Sequence, residues 1–273
     1  MALAVVIAAA TAATGAATVP AAGASQSSAV GPTVRLAQPI FTSYDSTYDD
    51  TGFNYWDAAF TFHWTVNAPA GICAQKLTYA NYDTLGGDVD PILQQESETI
   101  SVANGARSYA AHSDAPDYDR GGYSVVIRVK DCTGRVVASN PVHTVVSPGE
   151  DTDAAITYSG RWSVSHCACA SGGTTHWTTA RNASVSFRTV QPFDNSGVDL
   201  ALVMSKAPNR GSAAVYIDGV RRGTLNTYAT TAINGTIAYQ ILLPGSATHL
   251  VRIVNLATAG HPRIDLDATI NGG

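Results

Sequence analysis

From Val34 onward the chain is written in short runs rich in β-branched and aromatic residues, bounded by Gly, Pro, Asn and Asp, and no stretch keeps a long helical apolar period. Ala58, Phe60, Phe62, Trp64 and Val66 alternate onto one face of such a run, as do Tyr123, Val125, Ile127 and Val129. Val136 and Ala138, then Val142, Thr144 and Val146, continue the pattern. A sequence with this period buries sheet faces rather than helix stripes, so the expected fold class is all-β, built as two β-sandwich domains.

The material for two cores is present. Hydrophobic residues make up 45% of the 273 positions and charged residues only 14%, which excludes global disorder. The 16 Lys and Arg are scattered along a chain of net charge -5, with no run longer than the pair Arg221 and Arg222. No basic stripe exists to neutralise a phosphate backbone, so nucleic acid is not an expected partner. The same dispersion argues against a polybasic membrane contact.

The N-terminus carries an apolar run from Ala2 to Ala13, then small residues, then Ala22, Gly23 and Ala24 ahead of polar Ser25. This is the shape of a signal peptide over residues 1–24, although no Lys or Arg precedes the apolar run. The run is too short and too rich in Ala, Thr and Gly for a spanning helix, so no membrane insertion is expected after cleavage. Residues 25–32 read as a disordered lead and 33–147 as the first sandwich. The polar, acidic, Pro-Gly-containing stretch 148–153 reads as a linker, and 154–271 as the second sandwich, with about eight strands. Secretion makes the even set of four cysteines, Cys73, Cys132, Cys167 and Cys169, a disulfide set.

No cofactor motif appears. Acidic residues gather at 44–50 and 86–90, which leaves a structural calcium open, although neither run has EF-hand spacing and a solvated loop explains both. Cys167 and Cys169 admit a cramped local disulfide; with His166 and His176 they also admit a zinc set, at a spacing unlike that of a finger.

The first half resembles an immunoglobulin-like or fibronectin type III-like sandwich. The stretch GYSVVIRVKDCTG at 122–134 is similar to the penultimate strand and turn of bacterial fibronectin-like modules, and Phe62, His63 and Trp64 are similar to their second strand. In such a sandwich the third strand, starting at Ile72 and Cys73, runs antiparallel beside the sixth, which ends before Cys132. The resemblance therefore implies a Cys73–Cys132 disulfide. No Trp lies between these cysteines, so this is not the immunoglobulin pin.

The second half carries more specific runs. ITYSGRW at 156–162, CACASGGT at 167–174, KAPNRG at 206–211, YIDGV at 216–220 and HLVRIV at 249–254 occur in that order. Together they resemble a galactose-binding-domain-like jelly-roll module of secreted bacterial proteins, often attached to glycoside hydrolases. The likeness covers roughly residues 154–271. Ala207 stands where many copies have Gly, and 190–196 departs from their short Gly-Thr-Gly turn.

Each run also has a plain structural reading. Pro208 and Gly211 suit a turn into a strand, Asp218 and Gly219 suit a hairpin, and Trp162 alternates with Val164 as a core residue would. Trp177, in a Gly-rich neighbourhood, is the better exposed ring. Sugars stack C–H faces on aromatic rings while polar side chains meet their hydroxyls, so the expected sugar contacts are Trp177, Asn209, Arg210 and Tyr228. No Gly-x-Ser-x-Gly elbow, His-Glu-x-x-His, P-loop or dinucleotide fingerprint is present. The expectation is a secreted, non-catalytic protein binding a polysaccharide or cell-surface glycan. A structural or protein-interaction module of the cell envelope is the alternative, a glycoside-active enzyme comes third, and oligomeric state is not legible.

Overall fold

The computed structural model describes residues 31–48, 54–84, 93–116, 120–190 and 197–272; the signal-peptide reading at 1–24 lies outside them. The first half supplies β1 (Thr33–Leu36), β2 (Ile40–Tyr48), β3 (Asn54–Asn67), β4 (Ile72–Thr84), β5 (Leu93–Val102), β6 (Ser108–Pro116), β7 (Arg120–Asp131), β8 (Val136–Ala138) and β9 (Val142–Glu150). The second supplies β10 (Thr157–Ser159), β11 (Ser163–His166), β12 (Thr174–Thr178), β13 (Ser184–Arg188), β14 (Val198–Lys206), β15 (Ser212–Ile217), β16 (Val220–Asn226) and β17 (Ile233–Leu243). β18 (Leu250–Asn255), β19 (Ile264–Leu266) and β20 (Ala268–Gly272) complete it. A single 3-10 turn at Ser171–Gly173 interrupts an otherwise all-β chain among the described residues. None of these has a helix long and apolar enough to cross a membrane.

The alternation in sequence becomes burial. Ala58, Phe60, Phe62 and Trp64 of β3 and Val125, Ile127 and Val129 of β7 are all 2% exposed or less, while His63 and Arg128 between them face out. Phe60 packs edge-on against both Phe41 and Phe62, an arrangement that suits the ring quadrupoles. β3 pairs with β1 and β2 along one edge and β6 along the other. β4 lies between β5 and β7, and β7 continues to β8 and β9. Ile72 of β4 opposes Asp131 of β7, and Cys73 is bonded to Cys132 just beyond that pair.

The second half builds a five-stranded sheet, β10-β13-β18-β15-β16, and a three-stranded one, β11-β12-β19. Its remaining strands, β17, β14 and β20, are part of a sheet that includes all of the first half, in the order β1-β3-β2-β17-β14-β20-β9-β7-β4-β5. β14 is buried on both faces. Leu200, Leu202 and Met204 enter the core shared with Val215, Ile253 and Leu266, whereas Ala201 and Val203, with Ala268 and Ile270 of β20, enter the core of the first half. Strands buried on both sides read as unbroken apolar runs, as Leu200 to Met204 does.

The expected linker 148–153 is different in the structure. Its first three residues, Pro148 to Glu150, complete β9 and pair with Ile270, Thr269 and Ala268. The physical reason is local: β7 pairs β9 only up to Val146, and β20 takes over from there, so Pro148 has a single neighbour and its missing N–H costs no ladder bond on the other side. Asp151 to Ile156 then turn, held by the N–H of Asp153 on the Glu150 carbonyl and that of Ile156 on the Asp153 carbonyl.

Candidate functional site

β12 presents two faces with different chemistry. On one, the Thr174 hydroxyl donates to Oδ1 of Asp151 at 2.6 Å and Nδ1 of His176 lies 2.8 Å from its Oδ2. Tyr158 stacks flat on His176 at 4.2 Å, and Trp162 leans on Tyr158 at 4.9 Å. Burial and the Asp151 charge push the Tyr158 phenol upward, so it remains a hydrogen-bond donor to the Asp151 carbonyl. Trp162 packs against the second core and gives its indole N–H to the Ser159 carbonyl. This face fixes the strand.

The other face carries Trp177, which is half-buried and lies between Ser163 of β11 and Asp265 of β19. The guanidinium of Arg263 sits 4.4 Å over its ring, a cation–π contact that occupies one side of the indole. A pocket of about 270 Å³ opens beside it, lined by Arg161, Ser163, Trp177, Thr178, Thr179 and Ala180. Its wall at Thr178 is set by the hydroxyl, which donates to the Arg161 carbonyl and accepts from the Ala180 N–H. Among the described residues neither Nε1 of Trp177 nor Nε of Arg263 meets an acceptor.

Asn209, Arg210 and Tyr228 belong to an adjoining network rather than to that pocket. Arg210 donates through Nε to Oδ2 of the wholly buried Asp265 at 2.9 Å, and its Nη2 is equally close. Asn209 accepts from Nη1 of Arg210, and Oδ1 of Asp265 accepts the Ser205 N–H. Burial pushes the Asp265 carboxyl upward; the Arg210 guanidinium is first among the groups that oppose it. The guanidinium expected to meet sugar hydroxyls is thus committed within the protein. Tyr228 is 43% exposed and packs against His261, whose Nδ1 contacts the Pro208 carbonyl. Trp177, Arg263, Asp265, Arg210 and Asn209 form one chain of contacts, with Tyr228 and His261 at its end.

Gly211 ends the Lys206–Gly211 run for a reason other than positive φ. A Cβ there would run into the His261 carbonyl oxygen and the Thr258 side chain, so glycine is required by close backbone approach. Asp218 and Gly219 form the expected hairpin, both at positive φ, between β15 and β16. The bond from His249, with the Leu250 N–H, holds the Asp218 carboxyl below its usual range.

Cys167 and Cys169 are bonded to each other, so their thiolates are not available to zinc. The acidic runs at 44–50 and 86–90 lie partly or wholly outside the described residues. Among the described residues no group of three or more His, Cys, Asp or Glu is placed to hold a metal ion. Arg161, Ser163, Thr179, Arg263 and Asp265 are site residues that sequence reasoning missed; the only signal was the position of Arg161 inside the ITYSGRW run.

No family model matches the chain. Among curated proteins it is 25% identical over 245 residues to an A type blood N-acetyl-alpha-D-galactosamine deacetylase of Flavonifractor plautii, taking in 86% of this chain and 28% of that one. The chain therefore spans little more than a quarter of that relative's length. Solved structures that match part of the chain include the CBM36-1 domain of a multidomain xylanase from the hindgut metagenome of Trinervitermes trinervoides, 20% identical over 47% of this chain and 97% of that one, TM-score 0.35. A family 35 carbohydrate binding module from Clostridium thermocellum is 16% identical over 46% of this chain and 98% of its own, TM-score 0.36. The catalytic domain of a GH87 alpha-1,3-glucanase is 16% identical over 46% and 27%, TM-score 0.33. At these scores the likenesses carry no argument about what this chain binds.

Proposed function

We propose that this chain is a secreted glycan-recognition protein without catalytic activity of its own, and that its sugar contact is the pocket beside Trp177. One observation carries the reading: the half-buried indole shares one concavity with Arg161, Ser163 and Thr179. An apolar ring with a few convergent polar groups is the composition that saccharides require. Arg210 acts as a positioning residue, since through Asp265 it braces the strand on which Trp177 rests. Asn209 and Tyr228 belong to the network beside the pocket.

Two further observations agree. The chain holds two disulfides, which persist outside the reducing cytosol. The Flavonifractor plautii relative is named for chemistry on an amino sugar, and from it we carry over the saccharide class alone.

The test is a titration of indole fluorescence with a panel of amino sugars and neutral oligosaccharides, with and without chelator. A saccharide that quenches the wild type should bind Trp177→Ala at least about tenfold more weakly, in line with the loss of an aromatic anchor. Arg161→Ala should weaken it about two- to tenfold, the range of one hydrogen bond. Equal binding by wild type and Trp177→Ala would place the sugar elsewhere.

A further inference from the structure

The first half contains a second concavity with different chemistry. A groove of about 650 Å³ is lined in part by Arg35, His63 and Arg107, with Trp64, Val142 and Leu242 as apolar wall. Its volume falls within the roughly 300–1,000 Å³ of small-molecule sites. Among the described residues that line it there is no Asp or Glu, in a chain of net charge -5.

The strand register explains why these basic residues converge. Arg35 opposes Thr65, and His63 lies two residues before Thr65 on β3, so both side chains leave the same outward face. On the other edge of β3 the Trp64 N–H is held by the Arg107 carbonyl, which brings Arg107 alongside. Its Nη1 donates to the carbonyls of Asn104 and Ala106, fixing the plane of the fork while Nη2 is left over. The side chains of Arg35 and His63 have no ion-pair or hydrogen-bond partner among the described residues. By contrast, Arg210 and Arg263 both face Asp265. Cations gathered without counter-charge repel one another, so the arrangement favours an anionic occupant.

We infer that this groove binds a carboxylate-bearing saccharide, with the Arg35 and Arg107 guanidinium groups on the carboxylates and Val142 and Leu242 against the sugar C–H faces. Guanidinium forks match carboxylate oxygens in pairs, and Leu242, 45% exposed, supplies apolar surface that a bare ion would not use. The choice of saccharide over other carboxylates rests on the glycan-binding reading above; the charge argument does not.

The experiment compares polygalacturonate with the same polymer fully methyl-esterified, measured by calorimetry on the intact chain at low salt. Wild type should bind the acid form at least about tenfold more tightly than the ester, and the difference should shrink with added salt, because exposed charges are screened. The variant Arg35→Ala/Arg107→Ala should lose at least about tenfold of the acid-form affinity, and Arg35→Lys/Arg107→Lys should recover only part, as a point charge replaces a fork. Trp177→Ala should leave this binding unchanged. Equal affinity for acid and ester, no binding by wild type, or undiminished binding by the double alanine variant would overturn the inference. Loss in Trp177→Ala alone would overturn it while leaving the glycan reading intact, and retention of neutral sugars by the double alanine variant would separate the two sites.

Discussion

Asp199 shows how a single buried group can tie the sheets together and make stability depend on pH. It is 3% exposed, and both its oxygens accept from Nε2 of Gln240 at 2.9 Å. The same Gln240 nitrogen donates to the Pro39 carbonyl, and its Oε1 accepts the Phe41 N–H, so one amide clips the start of β2 to β14. Burial pushes the Asp199 carboxyl up to about 7, against the pull of Gln240. A raised folded-state value means that the native protein binds the proton more tightly than the unfolded chain. The stabilisation is complete below the ordinary carboxylate range and is lost as pH rises through about 7. Asp199→Asn keeps the shape and an acceptor for Gln240 but cannot ionise. Its urea midpoint should exceed that of wild type at pH 8 by roughly a few kcal/mol of stability, and the advantage should vanish near pH 4. An unchanged difference across that range would show that Asp199 is not the titrating group.

At the scale of elements, the two disulfides make a controlled comparison. Cys73 and Cys132 are 59 residues apart and close the ends of β4 and β7, whereas Cys167 and Cys169 are separated by only 2. Loop-closure entropy gives the first about 3–4 kcal/mol and the second much less. Cys73→Ser/Cys132→Ser should therefore lower stability by about that amount in denaturant titration, and Cys167→Ser/Cys169→Ser by a clearly smaller one. If the short bridge proved the costlier, its role would be to shape the turn before β12. The same elements show what the sequence made legible. β3, β7 and β13 to β18 lie where alternation or turn residues announce them, because their pattern reports a buried face directly. β11 and β12 are less plainly announced: SVSH and TTHWT hold few apolar residues, and β12 is fixed by Asp151 and Asp265, partners distant in sequence. The site inherits that blindness. Trp177 stands out by composition, but the commitment of Arg210 to Asp265, 55 residues away, does not. The groove residues Arg35, His63 and Arg107 meet only because β1 and the approach to β6 flank β3.

For the whole molecule, the decisive feature is that β14 and β17 serve two cores at once, while β20 adds Ala268 and Ile270 to the first. Residues 31–273 form one compact unit, and Ala201, Val203, Ala268 and Ile270 give the first core its wall. Their small and branched side chains suit a sheet that is packed on both faces, and all four are fully buried. Removing residues 31–147 would bare that wall and take away the partners of Asn271 and Gly272 on β9, so the second half should not be independently well packed despite having its own core. Intact protein should then unfold in a single calorimetric transition. Val203→Asp should destabilise both halves together, by several kcal/mol, because a carboxylate there is buried without a partner. Hydrogen exchange distinguishes the outcomes: simultaneous loss of protection in β7, which packs on the first core, and in β18, which packs on the second, follows from a shared wall. Loss confined to one of them would mean that the two cores fold as separate units joined only at their edges.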